Sequence, residues 1–313
     1  MLGGKEDRQL LTVLAEYHAL RVSQLAELAG RNIRALRRRL RILRDAGLIR
    51  TDVVGKRGCA GRPEQCLLLD EAGVDILDKN GITPWTGAKD RFAGEHGGSL
   101  PHLLLVNEFR IHLLRTVRHV PDLSLTFLSP TSALVAGATD THPSVRTTFR
   151  DADGNSVEFV PDGVFLLRHR GLQKTLLFFL EVDMGTEPLA PNRRRANSIL
   201  AKLENYRAYY AVDDYRRYEA LALEPLRRFR LLILTATSPR SGAVCRLTRE
   251  MGTMTFTLIA DQPTIQARGL GADVWVVGGQ VAEPPVSILG RAMPQVAAIA
   301  NPTPPPSDKT CVR

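Results

Sequence analysis

Three acids in the middle of the chain stand where apolar neighbours dominate. Asp162 opens Pro161-Asp162-Gly163-Val164-Phe165, and Glu181 and Asp183 close Phe178-Phe179-Leu180-Glu181-Val182-Asp183. Both runs read as buried strands. A carboxylate at the edge of a hydrophobic strand carries a desolvation cost of several kcal/mol unless a cation, a metal or hydrogen-bond donors neutralise it. Glu181 and Asp183 are two apart, so on a strand both side chains point to one face. Three such acids suggest a cation site.

The second group of chemistry-bearing residues is basic. Residues 1–62 contain 14 Lys/Arg against 6 acids, which is +8 of the formal +9 of the chain. Most of these are arginines, whose fork matches phosphates and guanine edges. A polyanion is the natural partner for such a segment.

The elements around these residues follow from periodicity. Leu10, Leu11, Val13, Leu14 and Tyr17 recur at helical spacing. A short helix follows with Val22, Leu25 and Leu28 inward and Ser23 as N-cap; Gly30 supplies a turn. The next helix runs from about Ile33 to Ala46, with Ile33, Leu36, Leu40 and Leu43 on one stripe and Gly47 as C-cap. Arg34, Arg37, Arg38, Arg41 and Arg44 lie elsewhere around it. This order is that of a helix-turn-helix, in which the last helix enters the major groove. Two strand-like runs around the basic, Gly-rich stretch with Arg57 and Arg62 read as a wing. Arg34, Arg38 and Arg41 are candidates for groove contacts, with Arg37 and Arg44 beside them, while Arg57 and Arg62 suit phosphates.

A helix at Glu71–Leu77 closes this domain, which spans 1–79, and a Gly-rich linker over 80–99 precedes a second domain over 100–283. That domain opens with a helix from His102 to His119. Strands are expected at 123–128, 157–160, 164–167, 176–182, 229–235, 254–259 and 274–277, with a helix from Arg193 to Tyr210. The sum is an α/β (α+β) chain with a mixed sheet. Residues 284–313 form a proline-rich tail with little to bury.

Asp162 followed by the acid pair resembles the PD-(D/E)xK superfamily of restriction-endonuclease-like folds, whose mixed sheet is flanked by helices. The resemblance implies that Asp162, Glu181 and Asp183 bind Mg2+ and that Glu108, in Val106-Asn107-Glu108, donates a further acid. The chain departs from the pattern in having Asp183 where that superfamily usually has Lys, so the positive charge would come from Lys202, one turn before Tyr206. Val22 to Leu28, Leu36-Arg37-Arg38-Arg39-Leu40-Arg41, Pro161-Asp162, Phe179 to Glu187, Lys202-Leu203 and Tyr206 are similar to the replication-relaxation family of plasmid and mobile-element proteins. This likeness implies replication, relaxation or transfer of mobile DNA, with DNA as partner and a relaxase or replication initiator as a further one.

The residues leave two function classes open: a Mg2+-dependent DNA endonuclease delivered by its winged helix, and a non-catalytic transcription or replication accessory factor with a degenerate nuclease fold. In the second, Glu181 and Asp183 join an ion network with Arg193, Arg194 or Arg195. No stretch approaches the ~18 apolar residues of a membrane span, and the first residues lack the apolar core of a signal peptide, so a cytoplasmic protein is expected. Cys59, Cys66, Cys245 and Cys311 have no metal-ligand spacing and are too few for a disulfide framework.

Overall fold

The computed structural model describes residues 4–54, 64–81, 100–129, 145–191, 198–252 and 254–290. It divides into two compact units, one of residues 1–111 and 128–146, the other of 112–127 and 147–313. The division falls inside one helix, α5 (Leu100–His119), whose first part counts with the first unit.

The first unit runs α1 (Lys5–Tyr17), β1 (Leu20–Arg21), α2 (Val22–Ala29), α3 (Ile33–Asp45), β2 (Ile49–Val54), β3 (Glu64–Leu69) and α4 (Glu71–Lys79), then enters α5. Its strands form an antiparallel sheet in the order β1-β3-β2. Leu10, Leu14, Leu25, Leu36, Leu40 and Leu43 share one buried core with Leu67 and Leu69. The expected leucine stripe of α3 is therefore its inner face. Gly30, at φ 63°, ends α2 in the left-handed conformation, and the Asn32 side chain accepts from Arg34 N at 2.9 Å to start α3. Gly47, at φ 69°, donates to Arg44 O at 2.9 Å while Leu48 donates to Leu43 O at 2.9 Å, a Schellman ending that turns the chain into β2. Ser23 lies inside α2 instead of capping it; Arg21 takes that place, its backbone N–H donating to Gln24 Oε1 at 2.9 Å.

The second unit is built on six strands in the order β11-β10-β9-β8-β7-β4: Val276–Val277, Thr257–Asp261, Phe229–Thr235, Lys174–Asp183, Gly163–His169 and Leu123–Leu128. β9 is parallel to β8 and β10, while β7 is antiparallel to β8 and β11 to β10, so the sheet is mixed. A separate hairpin joins β5 (Thr147–Arg150) to β6 (Ser156–Phe159). The helices are α6 (Ile199–Ala211), the short α7 (Glu219–Ala222), α8 (Ser238–Glu250) and α9 (Gln262–Arg268). Ser198 caps α6, its hydroxyl accepting from Ala201 N at 3.2 Å, so the helix starts at Ile199; residues 192–197, where Arg193 was expected to begin it, lie outside the described residues. Tyr209, not Tyr210, is the more deeply buried tyrosine of its last turns. On the sheet, Phe179 packs against Tyr206 and Tyr209 of α6, while its neighbour Phe178 stacks on Phe165 at 4.7 Å on the other face. Gly163 lets the Phe127 ring lie on β7, since a Cβ there would come within 2.6 Å of that ring.

Candidate functional site

The register of β7 and β8 assembles the central acids. Gly163 pairs with Leu180, and Asp162 N donates to Leu180 O at 3.0 Å, which sets Asp162 beside the end of β8. Val182 N then donates to Asp162 Oδ2 at 2.7 Å. Glu181 is 7% exposed and held from α6 on both oxygens. Tyr206 donates its hydroxyl to Oε1 at 2.7 Å, and Lys202 Nζ lies 3.1 Å from Oε2. Lys202 and Tyr206 are four apart, so one helical face presents both groups. Lys202 also lies 3.1 Å from Glu187 Oε2.

One ammonium thus serves several carboxylates, and the protonation equilibria show the imbalance. Burial pushes the Glu181 carboxyl up to about 7, and the charge of Asp162 adds to this against the pull of Lys202 and Tyr206. Lys202 is burdened by its own burial, but Glu181, Asp162 and Glu187 together raise its pKa above the usual lysine range. Burial and the neighbouring Glu181 push the Tyr206 hydroxyl well above the ordinary tyrosine value, so it stays a donor.

Asp183 sits at the same strand end but in a different set of bonds. It is 5% exposed; Arg240 Nε donates to Oδ2 at 2.5 Å and Gly185 N to Oδ1 at 2.8 Å. Arg240 also donates to Glu187 O at 2.7 Å, tying down the chain after β8. The three acids expected to share one cation are therefore divided: Asp162 and Glu181 with Lys202, Asp183 with Arg240. Among the described residues no three His, Cys, Asp or Glu side chains form a ligand set for a metal. Asp162 and Glu181 are the carboxylates that could hold a divalent cation, since each has lone pairs for about four bonds and such an ion can be bound through one or two carboxylates.

Glu108 lies in the first unit. It accepts from Gln24 Nε2 at 2.6 Å and lies 3.7 Å from Arg21 Nη1. Arg240 is the residue that sequence reasoning passed over. Its position in the first turn of α8 matters only because β9 runs parallel to β8, with Thr235 beside Asp183, and that pairing is invisible in the local pattern.

The first unit carries the basic surface. Arg34, Arg37, Arg38, Arg41 and Arg44 are all exposed. At ~100° per residue they fall within an arc of about 120° on α3. Arg44 lies 3.7 Å from Asp45; among the described residues Arg34, Arg37, Arg38 and Arg41 have no carboxylate partner. Arg39 differs, donating from Nε to the buried Asp7 at 2.6 Å, a contact that raises its pKa. Arg57 and Arg62 lie outside the described residues.

A family model described as replication-relaxation matches residues 11–222. The chain belongs to the replication-relaxation family. No curated protein and no solved structure matches it. Membership points to a role in the replication or relaxation of mobile DNA. In this replication-relaxation chain the matched segment includes α3, Asp162, Glu181, Asp183 and Lys202, while Arg240 lies beyond it. No helix of the described residues is long and apolar enough to cross a membrane.

Proposed function

We propose that the protein binds DNA through the arginine face of α3, as a winged helix formed by residues 1–79, and acts in the replication, relaxation or transfer of mobile DNA beside a relaxase or initiator. The observation that carries this reading is the exposed arginine stripe, in which Arg34, Arg37, Arg38 and Arg41 have no carboxylate partner among the described residues. A helix with its apolar face in a core and five arginines on an adjoining arc has the form of a groove-reading element. A gel-shift titration tests it: Arg38→Ala with Arg41→Ala weakens binding and lowers the salt slope by ~2 if both contact phosphates, and an unchanged slope removes the assignment.

The second unit, read as a PD-(D/E)xK-like domain, supports cleavage of the DNA backbone at Asp162, Glu181 and Lys202. Lys202, 3.1 Å from Glu181 Oε2, would supply from α6 the positive charge that the strand lacks at Asp183 and offset charge building up on a phosphate. Asp162 and Glu181 would hold a Mg2+ ion, which would supply Lewis-acid stabilisation of the phosphate. The test compares wild type with Glu181→Ala and Lys202→Ala on supercoiled, linear and single-stranded DNA with Mg2+ or Mn2+, alongside calorimetric metal titration. Nicking lost in both variants supports cleavage; equal activity in all three proteins, or none, removes it.

A second reading, a non-catalytic accessory factor with a degenerate nuclease fold, is favoured by one observation. Arg240 takes up Asp183, and Lys202 bridges Glu181 and Glu187, so the chain supplies its own counter-ions. DNA binding without nicking or metal uptake is its signature.

A further inference from the structure

The sheet of the second unit has a second face, and its chemistry is opposite in sign. Leu176 and Phe178 alternate with Leu177, Phe179 and Glu181 along β8, so they face away from the carboxylates. Arg230 is paired in register with Phe178, and Leu258 with Leu232, which puts all of them on that far face. A cleft of about 850 Å³ opens there, with Leu176, Val277 and Val286 as its accessible apolar floor over the buried Phe178 and Leu258, and with Lys174, Arg228 and Arg230 also lining it. A cavity of about 580 Å³ shares those three cations and adds Arg227.

These cations are not neutralised from within. Asp273 and Glu283 line the larger cleft and Glu224 the smaller, yet among the described residues none of Lys174, Arg227, Arg228 or Arg230 forms an ion pair. Arg230 spends one donor on Thr255 O, at 2.6 Å. A guanidinium has five donors, so most of its fork remains. Burial lowers the Arg230 pKa and the like charge of Arg228 lowers it further, a cost that an anion between the two would relieve. Arg240 of the same unit, by contrast, is paired with Asp183.

We propose that this cleft is a binding site for a phosphate-bearing nucleotide ligand. Arg228, Arg230 and Lys174 hold the phosphate, and the apolar floor receives the nucleoside. Arginine forks grip phosphate oxygens in pairs, and a concave apolar floor with a few convergent polar groups is the usual form of a small-ligand site. Two sources offer this chemistry: a free nucleoside phosphate, and a nucleotide within a DNA strand. The proposal is independent of α3 and of the carboxylate centre, which lies on the other face.

The full chain carrying Arg38→Ala and Arg41→Ala, to remove the α3 contribution, is titrated with ATP, inorganic pyrophosphate and a short single-stranded oligodeoxynucleotide. ATP binding that the oligonucleotide does not displace marks a free nucleotide; oligonucleotide binding without ATP binding marks a strand. In either case Arg228→Ala with Arg230→Ala weakens the bound probe by about tenfold or more, since each bidentate contact is worth that order. Should that variant fold poorly by circular dichroism, Lys174→Ala with Arg228→Ala, at two exposed positions, replaces it. No binding by any probe at millimolar concentration, or a loss under about threefold in the well-folded variant, overturns the proposal, because removing two phosphate contacts must exceed that.

Discussion

At the residue scale, the carboxylate centre is governed by how few cations it has. Glu181 has a folded value of about 7 against an ordinary 4.5, so between those pH values the folded protein holds a proton that the unfolded chain releases. The stability from this group is fully present below the ordinary value and is lost as pH rises through about 7. In metal-free buffer, urea denaturation at pH 5 and pH 8 should show wild type losing up to ~3 kcal/mol relative to Glu181→Gln over that interval. An identical pH slope in both proteins contradicts the assignment. Arg240 offers a second test. Arg240→Met leaves Asp183 buried without its cation and is expected to cost about 3–5 kcal/mol, most of it recovered when Asp183→Asn is added. A double-mutant cycle showing simple additivity would mean that the two do not interact. The acids themselves were legible in the sequence because carboxylates among Phe178, Phe179 and Leu180 are anomalous on sight. Their partners were only half legible: Lys202 and Tyr206 share a helical spacing, but the division of Glu181 from Asp183 depends on Arg240, brought in by a parallel strand pairing that local patterns do not encode.

At the element scale, turn chemistry and close backbone approach fix what periodicity only outlines. The leucine stripe of α3, its Gly47 ending and the runs of β7, β8 and β9 stand out because apolar spacing and glycine report directly on them. α8 does not stand out: its buried positions include Ser241, Cys245 and Thr248, so the usual apolar period is missing. The hairpin strand β5, Thr147–Arg150, is too short for its alternation to be distinctive. Gly73 of α4 is an approach point, since a Cβ there would meet the Leu48 backbone oxygen at 2.2 Å. Gly73→Ala must push α4 off the end of α3 and is expected to destabilise the first unit by ~1–3 kcal/mol in chemical denaturation. Gly47→Ala should cost about 1 kcal/mol, the strain of a left-handed residue with a side chain. An unchanged midpoint for Gly73→Ala would show that α4 has room to move.

At the scale of the whole molecule, the first unit reaches further along the chain than the winged-helix pattern suggests. Asn107 of α5 donates to Tyr17 O at 2.9 Å and Ala19 O at 2.7 Å, and Arg110 pairs with Glu16 while lying over the Tyr17 ring. Leu103 and Leu104 cover Ala19, Cys66 and Leu68. A fragment of residues 1–79 loses all of these and leaves the apolar face of Ala19, Cys66 and Leu68 in water. With that burial and the Asn107 bonds gone, the fragment should melt well below the first unit of the full chain or associate through the uncovered face. Local sequence patterns group α5 with the strands of the second unit because the Gly-rich stretch before it resembles a boundary; its bonds back to α1 and β1 are long-range and leave no local mark. The fragment still carries the whole arginine stripe and a net charge of +4, from 15 Lys/Arg against 11 acids, so it separates fold from electrostatics. If α3 supplies the phosphate contacts, any fraction of the fragment that remains folded binds DNA with the same salt slope as the full chain, because counterion release depends on the number of phosphates contacted and not on stability. If the slope falls in the fragment while circular dichroism shows α3 intact, phosphate contacts lie in the second unit as well, and the cations of the far-face cleft, Lys174, Arg228 and Arg230, are the ones to remove next.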